Sequence, residues 1–240
     1  MMNTILFDLD GTLLPLDMQK FTEIYFHEMG CMFKDLMEPK LLVKLVWTAT
    51  REMVGNTEYK TNEEVFMTKF SELVGGDISK YRERFDDFYD TLFHKTREAV
   101  QRQSLIKESI AILKEKNYKL VVATNPMFPR KAIHHRLEWA GLDLKDFIYI
   151  TSYEDNHYCK PQLHFYKEIL DIIGKKPEQC MMVGNDVQED LIALKLGVKT
   201  FLVRNHMIHR TQEAIDSTYE GDYEDFYRFI KDLPSVSASS

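Results

Sequence analysis

The residues best placed to do chemistry come early in the chain. Thr4-Ile5-Leu6-Phe7 runs into Asp8-Leu9-Asp10-Gly11-Thr12-Leu13. In an extended strand alternate side chains share a face, so Asp8 and Asp10 point one way and Leu9 the other. If the strand ends there, both acids lie at the carboxyl edge of a sheet, where open α/β folds bind ligands. Two carboxylates so close repel each other unless a cation or a shared proton compensates them. A strand closing in a plain Asp-rich turn would use the same residue types without any chemistry. The partners that would decide between the two must come from elsewhere in the chain.

Three further apolar segments end in polar groups of the right kind. Lys119–Ala123 leads into Thr124-Asn125-Pro126, where a hydroxyl and backbone amides could bind phosphate oxygens without adding charge; Thr-Asn-Pro is also an ordinary turn. The segment 147–150 is followed by Tyr158-Cys159-Lys160-Pro161, in which Pro161 could fix the backbone that aims the Lys160 amine. Taken alone, Lys160 reads as a solvated surface charge. Cys180-Met181-Met182-Val183 runs into Gly184-Asn185-Asp186-Val187-Gln188-Glu189-Asp190. Acids there can be helix caps. Beside Asp8, they would instead offer oxygen ligands to a hard cation such as Mg²⁺, which keeps waters and takes one or two protein carboxylates.

The elements that must position these groups fall into two textures. From Asp17 to about Val100 apolar residues recur at helical spacing, predicting helices over 18–33, 39–53, 62–74 and from Asp77 towards 100. Thr61 and Glu64 form a capping-box pattern at the start of the third, and Gly75-Gly76 ends it. From 104 onward helices near 105–116, 130–140, 164–173 and 190–196 alternate with short apolar strands near 119–123, 147–150, 180–183 and 200–203. Such strands predict a parallel sheet covered on both faces. The expectation is an α/β doubly wound parallel sheet over 1–16 and 100–233. An α-helical bundle over 17–99 is inserted after the first strand, and 234–240 is expected as a disordered tail.

The string Asp8-Leu9-Asp10-Gly11-Thr12-Leu13 resembles the first motif of the haloacid dehalogenase-like (HAD) hydrolases, and the other strand ends resemble the remaining motifs in family order. The resemblance implies a Rossmann-like core, a helical cap of the phosphatase branch, and Mg²⁺-dependent hydrolysis of a small phosphomonoester. By position, Asp8 would be the nucleophile that becomes an aspartyl-phosphate and Asp10 the general acid and base. Thr124 and Lys160 would hold the phosphoryl oxygens, with Gly11, Thr12 and Asn125 contributing to substrate binding. Metal ligation would fall on Asp8, Asp10 and the loop of Asn185, Asp186 and Asp190. The usual form of the fourth motif has Asp directly after Gly, whereas this chain has Asn185. Pattern register favours Asn185 as the direct ligand, and carboxylate chemistry favours Asp186; both stand open.

Bulk properties exclude several classes. A formal charge of −7 argues against a nucleic-acid surface. No apolar run reaches the roughly 18–20 residues of a membrane span, and the start lacks a signal-like pattern. Cys31, Cys159 and Cys180 are scattered like reduced cytoplasmic thiols, and no His pair has zinc-site spacing. Oligomeric state is not legible. The aromatic residues of the insert read as bundle core, and none of its polar residues, His27, Arg51 and Lys69 among them, takes a site role. The alternatives are a sugar phosphomutase, a 2-haloacid dehalogenase, or a non-catalytic member binding a phosphorylated ligand.

Overall fold

The computed structural model describes residues 1–237. Six parallel strands form one sheet in the order β3-β2-β1-β4-β5-β6. They are β1 (Thr4–Phe7), β2 (Lys119–Val122), β3 (Phe147–Ile150), β4 (Cys180–Gly184), β5 (Lys199–Val203) and β6 (Tyr219–Gly221). β1 is wholly buried, which is why its four residues carry no alternation of apolar and polar types. It pairs with β2 and β4 in one register, Phe7 lying level with Val122 and Val183. The polar residues that follow these three strands therefore emerge side by side at one edge.

Between β1 and β2 the chain inserts α1 (Met18–Phe33), α2 (Pro39–Gly55), α3 (Asn62–Val74) and α4 (Ser79–Asp90), then a 3-10 run over Leu92–Ala99 and α5 (Ser104–Glu115). The capping box at α3 forms as its sequence predicts: Thr61 Oγ1 accepts from the Glu64 amide, and Glu64 accepts from the Thr61 amide. Gly75, in a left-handed conformation, ends the helix. The single long helix expected after Asp77 is instead two pieces. The Asp77 carboxylate accepts from the Ser79 amide near the start of α4, and the chain breaks at Thr91 before the 3-10 run. The bundle is packed by rings: Phe70 lies 5.3 Å from Phe85 and 5.9 Å from Phe66, centroid to centroid.

α6 (Arg130–Trp139) and α7 (Leu163–Ile172) follow β2 and β3, and the helix expected near 190–196 is a 3-10 turn over Leu191–Leu196. β6 and α8 (Tyr223–Asp232), which lacked a sequence-based prediction, extend the sheet and cover it; Phe226 packs edge-on to Phe7 and Phe201. Of the segment expected as a tail, residues 234–237 are described and tied down. The Val236 amide donates to the Lys116 carbonyl, and the Tyr118 hydroxyl donates to that of Pro234. Residues 238–240 lie outside the described residues. Among the described residues no helix is long and apolar enough to cross a membrane.

Phe70 is fully buried in the bundle. Phe70→Ala is expected to cost about 3–5 kcal/mol by leaving a cavity. Thr61→Ala, which removes one cap, should cost about 1 kcal/mol. Urea unfolding of the two variants should show this ordering.

Candidate active site

At the carboxyl edge the chain turns sharply after β1. The Gly11 and Thr12 amides donate to the Leu14 and Leu9 carbonyls, closing the loop on itself. Gly11 has φ +82°, and a Cβ there would lie 2.4 Å from the Asn185 side chain, so glycine is required both by conformation and by space. The Leu9 and Asp10 amides donate to no acceptor among the described residues. The expectation that Gly11 and Thr12 bind substrate thus meets a different arrangement. Their amides are spent within the turn, and the Thr12 hydroxyl is buried against Asn185 Oδ1 at 3.0 Å.

Lys160 is the centre of the charge arrangement. Only 1% of it is exposed, and its ammonium donates to Asp8 Oδ1 at 2.9 Å and to Asp190 Oδ1 at 2.6 Å. Burial opposes a charged amine, but Asp190 and Asp8 outweigh it and hold the Lys160 pKa well above its ordinary value. Burial also raises the Asp8 pKa against the pull of Lys160, and pushes that of Asp190 up to about 6. Two carboxylates facing one ammonium leave an excess of negative charge, which a cation would relieve. Asn125, expected to touch substrate, lies against this lysine: its Oδ1 accepts from the Lys160 amide at 3.2 Å, and its Nδ2 donates to Glu189. Thr124 is buried at the end of β2, and its hydroxyl makes no hydrogen bond among the described residues. Its carbonyl accepts from Thr151 Oγ1.

The loop after β4 separates the three residues expected to bind metal. Asp190 tucks so closely beneath Gly184 that a Cβ there would lie 2.0 Å from its carboxylate. Both of its oxygens are used, one by Lys160 and the other by the Asp186 amide at 2.9 Å. The Asp186 carboxylate accepts from the Gln188 and Glu189 amides and pairs with Arg210. It is therefore a turn-former with its own cation. Asn185 lies against Gly11. Its Nδ2 donates to the His206 carbonyl at 2.7 Å, which fixes the amide orientation and presents Oδ1 to Thr12. Of the two registers left open by the sequence, the geometry sets Asn185 beside the first motif and turns Asp186 towards Arg210.

Sequence reasoning missed Arg136. It lies on α6, is fully buried, and its Nη1 donates to Asp10 Oδ2. The guanidinium stacks 4.5 Å from the Phe128 ring centroid. Asp10 Oδ1 is buried and has no partner among the described residues. A signal did exist: Ala132, Ile133, Arg136 and Leu137 form the buried stripe of α6, so Arg136 is a charge where the helical period demands an apolar residue. Tyr223, also unforeseen, steadies the first loop by donating to the Gly11 carbonyl at 2.9 Å.

Among the described residues no three His, Cys, Asp or Glu side chains are grouped to hold a metal. The donor set for a hard cation is instead mixed. Among the described residues Lys160 is the only partner of the Asp8 carboxylate, the Asp10 carbonyl accepts no hydrogen bond, and Asn185 would add an amide oxygen. All are oxygens with at most one carboxylate committed, which fits Mg²⁺.

The Asp10–Arg136 pair yields a direct test. Asp10→Ala leaves a fully buried guanidinium without counter-charge and is expected to cost roughly 3–5 kcal/mol. In the Asp10→Ala/Arg136→Met double variant much of that loss should return. A double-mutant cycle by urea unfolding that shows additive losses would mean the pair is not coupled.

Known proteins resemble this chain over most of its length. A family model described as "Hydrolase: haloacid dehalogenase-like hydrolase" matches residues 2–197. The pyrophosphatase PpaX of Bacillus cereus (strain AH820) is 24% identical over 201 residues, covering 84% of this chain and 82% of its own. The crystal structure of a HAD phosphatase from Thermococcus onnurineus superposes with a TM-score of 0.62 at 17% identity, covering 98% of this chain and 100% of that one. That of the HAD-hydrolase YfnB from Bacillus subtilis, bound to magnesium, superposes with a TM-score of 0.57 at 22% identity, covering 95% and 98%. With its parallel sheet, its helical insertion after β1 and its family match over residues 2–197, the chain belongs to the haloacid dehalogenase-like hydrolases.

Proposed function

We propose that this hydrolase cleaves a small phosphomonoester through an aspartyl-phosphate on Asp8, with Mg²⁺ as cofactor. The observation that carries the reading is the Asp8 carboxylate at the end of the central strand, held on the buried Lys160 ammonium, with Asp10 two residues on. Asp8 attacks phosphorus; its Oδ–P bond forms as the P–O bond to the alcohol breaks. Asp10 delivers a proton to the departing oxygen, then takes one from the water that attacks phosphorus and frees Asp8. The unpartnered Oδ1 suits that proton traffic, because Arg136 occupies Oδ2.

Lys160 balances the negative charge that builds on the phosphoryl oxygens, and Asp190 holds that lysine in place. The free Thr124 hydroxyl and the Leu9 and Asp10 amides are the neutral donors for those oxygens. Asp8, the Asp10 carbonyl and Asn185 are the residues that would hold Mg²⁺. When bound, the cation offsets the charge of Asp8 and phosphate together and lets two anions approach. Halide displacement from a haloacid is the weaker reading. Asp10, with a proton on its unpartnered Oδ1, can give that proton to a departing alkoxide, a service that a departing halide does not need.

Asp8→Asn is expected to abolish phosphate release while leaving the circular dichroism spectrum unchanged; full turnover by that variant would end this account. A chelator should silence the native protein, and added Mg²⁺ should restore it. Asn185→Ala should raise the Mg²⁺ concentration for half-maximal activity by about tenfold or more. Asp186→Asn should leave it unchanged; the reverse pattern would hand the ligand role to Asp186.

A further inference from the structure

The insert was expected to spend its aromatic residues on its own core, and several do. Others wall a cavity of about 190 Å³ between the helical bundle and the sheet edge. Phe21 and Tyr25 of α1, Trp47 of α2, Phe66 of α3, Phe85 of α4 and Phe128 after β2 contribute to its lining. Asp10 is the one charged residue among the lining residues, and no Lys, Arg or His joins it. Tyr25 and Tyr89 are both among the lining residues, and their hydroxyls bond to each other at 2.8 Å. The Arg136 guanidinium sits behind the Phe128 ring and on Asp10, its charge already matched. The volume is of the order of an apolar cavity of about 150 Å³ that takes up benzene.

Asp10 also borders a second hollow, shared with Gly11, Asp17, Gln101, Asn185 and His206, and neither Lys nor Arg lines that one. The acid assigned to protonate the departing oxygen thus opens on one side to a ring-lined cavity and on the other to a polar hollow that includes a further carboxylate. A second phosphate or a carboxylate on the leaving group would meet Asp10 and apolar walls with no cation to receive it, and desolvating such an anion is costly. An uncharged apolar group would gain by burial there.

We propose that the cavity beneath the helical insert is the leaving-group site, and that it selects phosphomonoesters of uncharged, apolar alcohols with a body near the size of one ring. This rests on the phosphohydrolase reading above, and it separates the chain from the pyrophosphatases that it resembles in sequence. Trp47 and Met18, both partly exposed, stand among the lining residues where the cavity nears solvent.

The test uses the purified full chain with Mg²⁺ and four substrates: benzyl phosphate, glucose 6-phosphate, 2-phosphoglycolate and inorganic pyrophosphate. Benzyl phosphate is chosen over an activated aryl ester so that leaving-group reactivity does not mimic recognition. Its kcat/KM is expected to exceed that of each of the others by about tenfold or more. Thr50→Lys, at a half-buried lining position, should lower the benzyl phosphate value and raise the 2-phosphoglycolate value. The native panel decides the matter even if that variant does not fold. Comparable or faster turnover of a charged or sugar ester by the native protein, with Asp8→Asn inert, overturns the cavity assignment and leaves the phosphohydrolase reading standing. Release of phosphate from none of the four, or undiminished release in Asp8→Asn, overturns both.

Discussion

A single buried ammonium organises this molecule's functional edge. Lys160 reaches the interior from the loop after β3 and meets Asp8 from β1 and Asp190 from the loop after β4. An unpaired ammonium at that depth would cost several kcal/mol, as would either carboxylate. Each charge therefore makes the burial of the others tolerable, and three segments far apart in the chain are bound to one geometry. Much else follows from holding them there. Asn125 clamps the Lys160 backbone, and Gly184 lacks a side chain so that Asp190 can close beneath it.

The second acid is managed differently. Asp10 has its own cation, Arg136, drawn from the helix after β2 rather than from a strand end. The two acids of one motif thus sit in distinct electrostatic settings: Asp8 shares a lysine with a rival carboxylate, and Asp10 has a dedicated guanidinium on one oxygen and nothing on the other. Environments that differ in this way are what allow two carboxylates to take separate chemical roles. The same guanidinium is shielded by Phe128, so the space beyond the ring is presented to solutes as apolar.

The helical insert uses one set of rings both to pack its bundle and to line a cavity. Phe33, Phe70 and Phe88 are fully buried and hold the bundle together. Phe21, Tyr25, Phe66 and Phe85 are also counted in the core, yet each turns an edge or face towards the cavity beside Asp10. A ring can do both because its large surface is seldom covered on every side.

Much of this was legible in the residues themselves. Continuous apolar runs marked β1 to β5, and helical spacing with the Thr61–Glu64 cap marked α1 to α3, since these patterns are set by local geometry. Asp8, Asp10, Thr124 and Lys160 stood out as candidates because each follows a strand, and a parallel sheet gathers its strand ends at one edge. What the chain could not reveal locally depended on contacts between distant segments. Which of Asn185 and Asp186 lies against the first loop was decided by His206 and Arg210, which lie in a later loop. Asn125 and Thr12 are bonded to Lys160, Glu189 and Asn185, partners that lie far away in the chain. Arg136 became the partner of Asp10 only when α6 packed beneath the first loop, and the aromatic residues of the insert became a cavity wall only when the bundle closed over the sheet. Periodicity and motif order determined the elements and the candidate groups at their ends; packing decided which polar atoms were left free, because a hydrogen bond or an ion pair is assigned by proximity in space.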